Sequence, residues 1–111
     1  MPGERFEATV DMADGHGAVR MKGDLTGAAR ETVEAAYARA EAPVIVLDFT
    51  EVGYINSTGI AIVVGVLARA RADGRQVRAF GLDEHYRKIF QITRIADFMA
   101  IFDDEMAAVA S

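Results

Sequence analysis

Apolar residues alternate with polar ones at Phe6, Ala8 and Val10, a glycine-bearing turn follows at Asp14-Gly15-His16-Gly17, and apolar positions resume at Ala18, Val19 and Met21. Alternation on either side of such a turn predicts two short strands joined as a hairpin. Beyond Leu25 the period changes. Ala29, Val33, Ala36, Tyr37 and Ala40 recur at helical spacing, Arg and Glu fill the other side, and Pro43 ends the run, which is the pattern of an amphipathic helix. "PVIVLDFTEV" is then a continuous β-branched run, as in a strand buried on both faces. This strand is expected to end near Phe49, with the chain turning through "TEVGYINSTG" before the next helix.

The stretch from Thr58 to Asp73 satisfies two periods, because Ile60, Ile62, Val64 and Val66 would also suit a strand. Length decides. No turn signal interrupts it before Gly74, and at about 1.5 Å per residue it is a helix near 24 Å long. Its first two turns are apolar all round, so that half is expected to be buried. "RQVRAFGL" reads as a strand, and "DEHYRKIFQIT" as a helix with Asp83 as N-cap, Glu84 in the first turn, and Tyr86, Ile89 and Phe90 on one face. "DFMAIF" is a last short strand and "DDEMAAVA" a terminal helix opening on acids. The order β, β, α, β, α, β, α, β, α predicts an α/β fold: a mixed sheet with an N-terminal hairpin, parallel βαβ units and about four helices.

Composition narrows the function. At 111 residues the chain fits one domain spanning 1–111. With 51% apolar and 26% charged residues it is an ordinary globular composition. The absence of cysteine excludes disulfides and thiolate metal sites and suits a reducing compartment. The longest uncharged apolar run, Gly59 to Ala68, falls well short of the roughly 20 residues that span a bilayer, and the N-terminus has no apolar signal core. The expectation is a cytoplasmic protein without direct membrane insertion. Net charge is −5 and the arginines are scattered, so the basic stripe of a nucleic-acid binder is missing.

Chemistry in such folds gathers at loops leading from strands into helices, here residues 53–59. Free amides at a helix start attract negative charge, and Asn56, Ser57 or Thr58 can cap one of them. Capping alone would explain one polar residue, yet three are supplied, with Tyr54-Ile55 before them as an anchor. A hydroxyl held there is also a good phosphoryl acceptor, since the helix end stabilises an added charge of about −1.5 to −2. As a catalytic nucleophile Ser57 would need a histidine base and an orienting third group. No motif places His16 or His85 in that role, and the glycine-serine-glycine elbow of hydrolases is missing. "GVLARARADGR" lacks the glycine spacing and Lys-Ser/Thr ending of a phosphate-binding loop. Asp103-Asp104 and Asp83-Glu84 are explained by helix starts. No catalytic residue, metal site or cofactor is assigned.

From Phe6 to Ala110 the chain resembles the STAS domain family, meaning bacterial anti-sigma factor antagonists and related domains of sulfate transporters. The most specific segment is Asn56-Ser57-Thr58-Gly59, where the family commonly has Asp-Ser-Ser-Gly; "GDLTGAA" at 23–29 and "IFQITRIADFMAIFDD" give further support. The resemblance implies a non-enzymatic partner switch. The unphosphorylated domain binds an anti-sigma factor that is also a serine kinase, and phosphorylation of its loop serine releases it, with a phosphatase to reset it. Carried over, the acceptor is Ser57, and the partner-binding residues are Asn56, Ser57, Thr58 and Gly59 with Asp24 and Thr26 of the "GDLT" segment. Asn56 and Thr26 stand where aspartates are common, and Arg94 where glycine is frequent. The first two remove negative charge from around the acceptor. Two other classes are consistent with the family: an accessory subunit docking on a membrane transporter, and a module sensing a small molecule or nucleotide at the helix start.

Overall fold

The computed structural model describes residues 5–110. Five strands form one sheet in the order β1-β2-β3-β4-β5, with β1 at Glu7–Ala13, β2 at His16–Leu25, β3 at Val44–Ile55, β4 at Gln76–Phe80 and β5 at Ala100–Phe102. β1 pairs antiparallel with β2, and all other pairs are parallel. The connecting helices are α1 (Arg30–Arg39), preceded by a 3-10 turn at Gly27–Ala29, α2 (Ser57–Ala72) and α3 (Glu84–Ile92). A further 3-10 turn at Ile95–Asp97 leads into β5, and α4 (Glu105–Ala110) follows it. The mixed sheet, the hairpin, the parallel units and the four α-helices of the described residues agree with the expected fold.

Burial on consecutive residues explains the layering. Ile45, Val46 and Leu47 of β3 are all buried, and because successive side chains point to opposite faces, both faces of this strand are covered. One face carries Ile45, Leu47 and Phe49 against α1, α2 and α3, in a core containing Val33, Val66 and Phe90. Phe49 and Phe90 meet edge to face at 6.0 Å. On the other face Ala18, Val46 and Phe80 form a smaller cluster that α4 covers with Ala108. Arg20 ties α4 down. Its guanidinium bonds both carboxylate oxygens of Glu105, at 3.1 and 2.7 Å, and also Asp11 and Asp48. These bonds, that to Glu105 foremost, raise its pKa above the usual arginine range.

Several boundaries differ from those read in the sequence. The hairpin turn is two residues, Asp14 and Gly15, with φ of 46° and 81°, a type I′ turn whose twist matches the strands; His16 and Gly17 already belong to β2. β3 does not end near Phe49 but runs six residues on, to Ile55. Its second half pairs with Lys22 to Leu25 of β2, past one register shift after Arg20 and across another after Gly23, where β4 no longer reaches. With one neighbour instead of two, this half carries polar and exposed residues and resembles a loop in sequence. α2 begins at Ser57 rather than Thr58 and ends at Ala72, with Asp73 as its C-cap. Nor is its first half buried all round. Ala61 and Gly65 are exposed, and Val64 keeps 47% of its surface in solvent, because α2 rests on the sheet along one side only. "DFMAIF" contributes just three strand residues, its Asp97 belonging to the 3-10 turn. Arg94 adopts left-handed φ and ψ of 66° and 14° just past α3, the conformation for which glycine is favoured at a helix end.

Candidate functional site

The long second half of β3 delivers the chain to α2 alongside the end of β2. Asp24 pairs in register with Tyr54 and Leu25 with Ile55, and the Asn56 amide donates to the Leu25 carbonyl at 3.3 Å. The "GDLT" and "NSTG" segments therefore share one rim of the sheet. Asp24 and Thr26 are half-buried there. Thr26 precedes the Gly27–Ala29 turn, its carbonyl accepting from the Ala29 amide at 2.9 Å. A methyl group on Gly27 would lie 3.3 Å from Thr58 Cγ2, so this turn abuts the start of α2.

Asn56 is the cap. Its backbone is extended, with φ −94° and ψ −179°, and its Oδ1 accepts the Gly59 amide at 2.8 Å. That bond satisfies one of the orphan donors of the first turn. Ser57 and Thr58 are thereby released from capping: both are exposed, and neither side chain has a hydrogen-bond partner among the described residues. Gly59 is buried against β2, where a Cβ would overlap the Leu25 carbonyl oxygen and crowd Ile55. Only glycine lets the helix start approach the strand this closely. No acidic residue lies in the first turn of α2. The site is thus a solvent-facing hydroxyl pair on the positive end of a sixteen-residue helix.

Tyr86 completes the support and was not singled out for it in the sequence. Its hydroxyl accepts the Ile55 amide at 2.9 Å, a buried bond that binds the end of β3 to the first turn of α3. The available signal was a tyrosine on the apolar face of a short helix, since a buried phenol seeks a partner for its polar tip. The two histidines do not join the site. His16 lies at the opposite end of the sheet, paired with Val44, its Nδ1 3.1 Å from the Asp14 carbonyl. His85 is exposed with its ring against that of Tyr86. No group of three or more His, Cys, Asp or Glu among the described residues is arranged to hold a metal, and no helix among them is long and apolar enough to cross a membrane.

Residues 8–102 match the family model described as Mlab, STAS domain. Over 65 residues the chain is 34% identical to an anti-sigma-B factor antagonist of Listeria monocytogenes, a match covering 59% of this chain and 57% of that relative. The match therefore spans little more than half the relative's length. The fold is similar to that of the anti-sigma factor antagonist SpoIIAA in its unphosphorylated form, with TM-score 0.70, 21% identity, and coverage of 90% of this chain and 91% of the other. It is also similar to an anti-sigma factor antagonist from Mycobacterium paratuberculosis, with TM-score 0.74, 20% identity, and coverage of 96% and 92%. Sequence motif, sheet order and family match agree, and the chain belongs to the STAS domain family.

Proposed function

We propose that the protein is a non-enzymatic anti-sigma factor antagonist that works by partner switching. In this reading it binds a serine-kinase-type anti-sigma factor in the cytoplasm while Ser57 is unmodified, and is released when that kinase phosphorylates Ser57. One observation carries it: Asn56 fills the cap, so the Ser57 hydroxyl is left exposed and unbonded on a helix start without acidic residues. Such a position accepts a phosphate at little cost to the fold, because the helix end and free amides favour negative charge. A partner surface fitted to a neutral hydroxyl meets instead a desolvated charge of about −1.5 to −2. A loss of about 3 kcal/mol at that contact weakens binding more than a hundredfold. Asn56, Thr58, Gly59, Asp24 and Thr26 supply the surrounding contact surface, and a phosphatase resets the switch.

Incubation with a kinase-type anti-sigma factor and ATP, followed by intact-mass measurement, should show one added phosphoryl group that Ser57→Ala abolishes and Thr58→Ala leaves. Ser57→Asp should lose the partner. If Ser57→Asp binds as tightly as the unmodified protein, the switch is wrong even where binding survives.

A further inference from the structure

A groove of ≈ 760 Å³ lies at the far end of α2 from Ser57, between that helix and the segment returning to β5. Val64, Leu67 and Ala68 form one wall, Phe98 and Met99 the other, and Val77 of β4 contributes to its lining. It is open for a topological reason. The chain returns from α3 to β5 through a single 3-10 turn at Ile95–Asp97, so this connection lays no α-helix of the described residues beside the outer flank of α2. Val64 and Phe98 consequently remain 47% and 59% exposed. A drug-sized ligand normally has 70–90% of its surface buried, and this trough, with such exposed walls, suits a longer partner lying along it.

The charge of the lining selects among partners. Arg71, Arg75, Arg78 and Arg94 line the groove against a single acid, Asp97. Asp97 is already paired with Arg94 at 2.8 Å. Arg75 and Arg78 give hydrogen bonds to the carbonyls of Ala40 and Ala108. Arg71 has no carboxylate partner among the described residues and lies over the Phe98 ring, 5.9 Å from its centroid. On a chain of net charge −5 this is a local excess of positive charge around an apolar trough. We propose that the groove docks an acidic amphipathic helix of a partner protein, its apolar anchors seated on Val64, Leu67 and Phe98 and a carboxylate meeting Arg71. Helices dock in such grooves through anchors at i, i+3, i+4 and i+7. The site is independent of the Ser57 reading, since Arg71 lies fourteen residues along α2, about 21 Å away at 1.5 Å per residue.

The test titrates the isotopically labelled full chain with a peptide of about 18 residues, long enough to be helical when built on good helix formers, bearing leucines at those four spacings, three glutamates flanking them, and alanine and glutamine elsewhere. The control peptide has lysine for every glutamate. Amide shifts should concentrate at Val64, Ala68, Phe98 and Met99, the lysine peptide should bind at least tenfold more weakly, and Arg71→Glu should weaken the acidic peptide about fivefold or more, the scale of one exposed ion pair reversed. Both Arg71 and Phe98 are exposed, so Arg71→Glu and Phe98→Ala should keep native spectra; if Phe98→Ala does not, Arg71→Glu decides alone. Equal binding of the two peptides, shifts centred elsewhere, or no binding at millimolar peptide overturns the proposal. So does a concentration-dependent dimer by light scattering that Phe98→Asp disperses, which would assign the groove to a second copy. Decanoate giving the same shifts in the absence of peptide binding would assign it to a small amphiphile and equally overturn it.

Discussion

Asn56 and Asp83 close the starts of α2 and α3 with the same hydrogen bond, at 2.8 Å to the Gly59 amide and 2.9 Å to the Tyr86 amide. Everything around that bond differs. At α3 the cap is an ionisable acid and the next residue is Glu84, so the helix end already has negative charge beside it. At α2 the cap is a neutral amide and the next residue is Ser57, with no acid in the turn. Two positions further the contrast is steric. α2 has Gly59, pressed onto the Leu25 carbonyl, whereas α3 has Tyr86, whose ring is buried and whose hydroxyl reaches back to Ile55. One start has negative charge beside it within the chain; the other is seated closely on β2 and has none in its first turn. A phosphate on Ser57 would supply at α2 what Glu84 supplies at α3.

The steric half of this contrast can be broken first. Gly59→Ala drives a methyl group into backbone that cannot yield, and we expect a loss of about 3 kcal/mol, near the upper end for overpacking. In a domain of this size that is a fall in Tm of about 12 °C or more. If Gly59→Ala unfolds within a degree or two of the parent, the close approach is not what holds α2. Tyr86→Phe removes the hydroxyl and strands the buried Ile55 amide; about 1 to 2 kcal/mol should be lost, with faster amide exchange confined to the end of β3 and the start of α2. Exchange that accelerates only within α3 would show that Tyr86 braces its own helix and not the site.

The electrostatic half has smaller consequences. Asn56→Ala should cost about 1 kcal/mol as the Gly59 amide loses its acceptor, readable in denaturant midpoint. The finest test exchanges the charges at the position after each cap. Ser57→Asp should stabilise the fold by about 0.5 kcal/mol and Glu84→Ser should destabilise it by a similar amount, both effects shrinking in high salt. A destabilising Ser57→Asp would mean that negative charge is unwelcome at α2, and a modified Ser57 would then strain the domain as well as repel its partner.

Much of this arrangement was legible in the sequence wherever one neighbour decides the outcome. The hairpin, the parallel units and the Asp83 cap follow from period and residue type. The alternative reading of residues 58–73 as a strand fell to length alone, and α2 spans nearly the expected range. The parts that depart from the sequence pattern have a common origin. Residues 50–55 look like loop because only β2 lies beside them there, and a strand paired on one side keeps polar and exposed positions. The outer flank of α2 reads as core because it is apolar, yet Val64 there keeps 47% of its surface in solvent and Ala61 and Ala68 are exposed. Tyr86 reads as ordinary core, and its bond to Ile55 spans 31 residues.

Local chemistry within this chain was enough to determine that it alternates strands and helices, that a polar cluster opens an apolar helix, and that any of three side chains there could serve as its cap. Tertiary structure alone decided which one does. The Asn56 backbone amide is held on the Leu25 carbonyl and Gly59 is seated against the same carbonyl, and in the turn this contact fixes, Asn56 takes the capping geometry and Ser57 and Thr58 are left exposed. Cap preference is a property of residue type and nearly equal for asparagine and serine. Which of them is free to meet another molecule depends on a strand thirty residues earlier in the chain, and no local pattern encodes that contact.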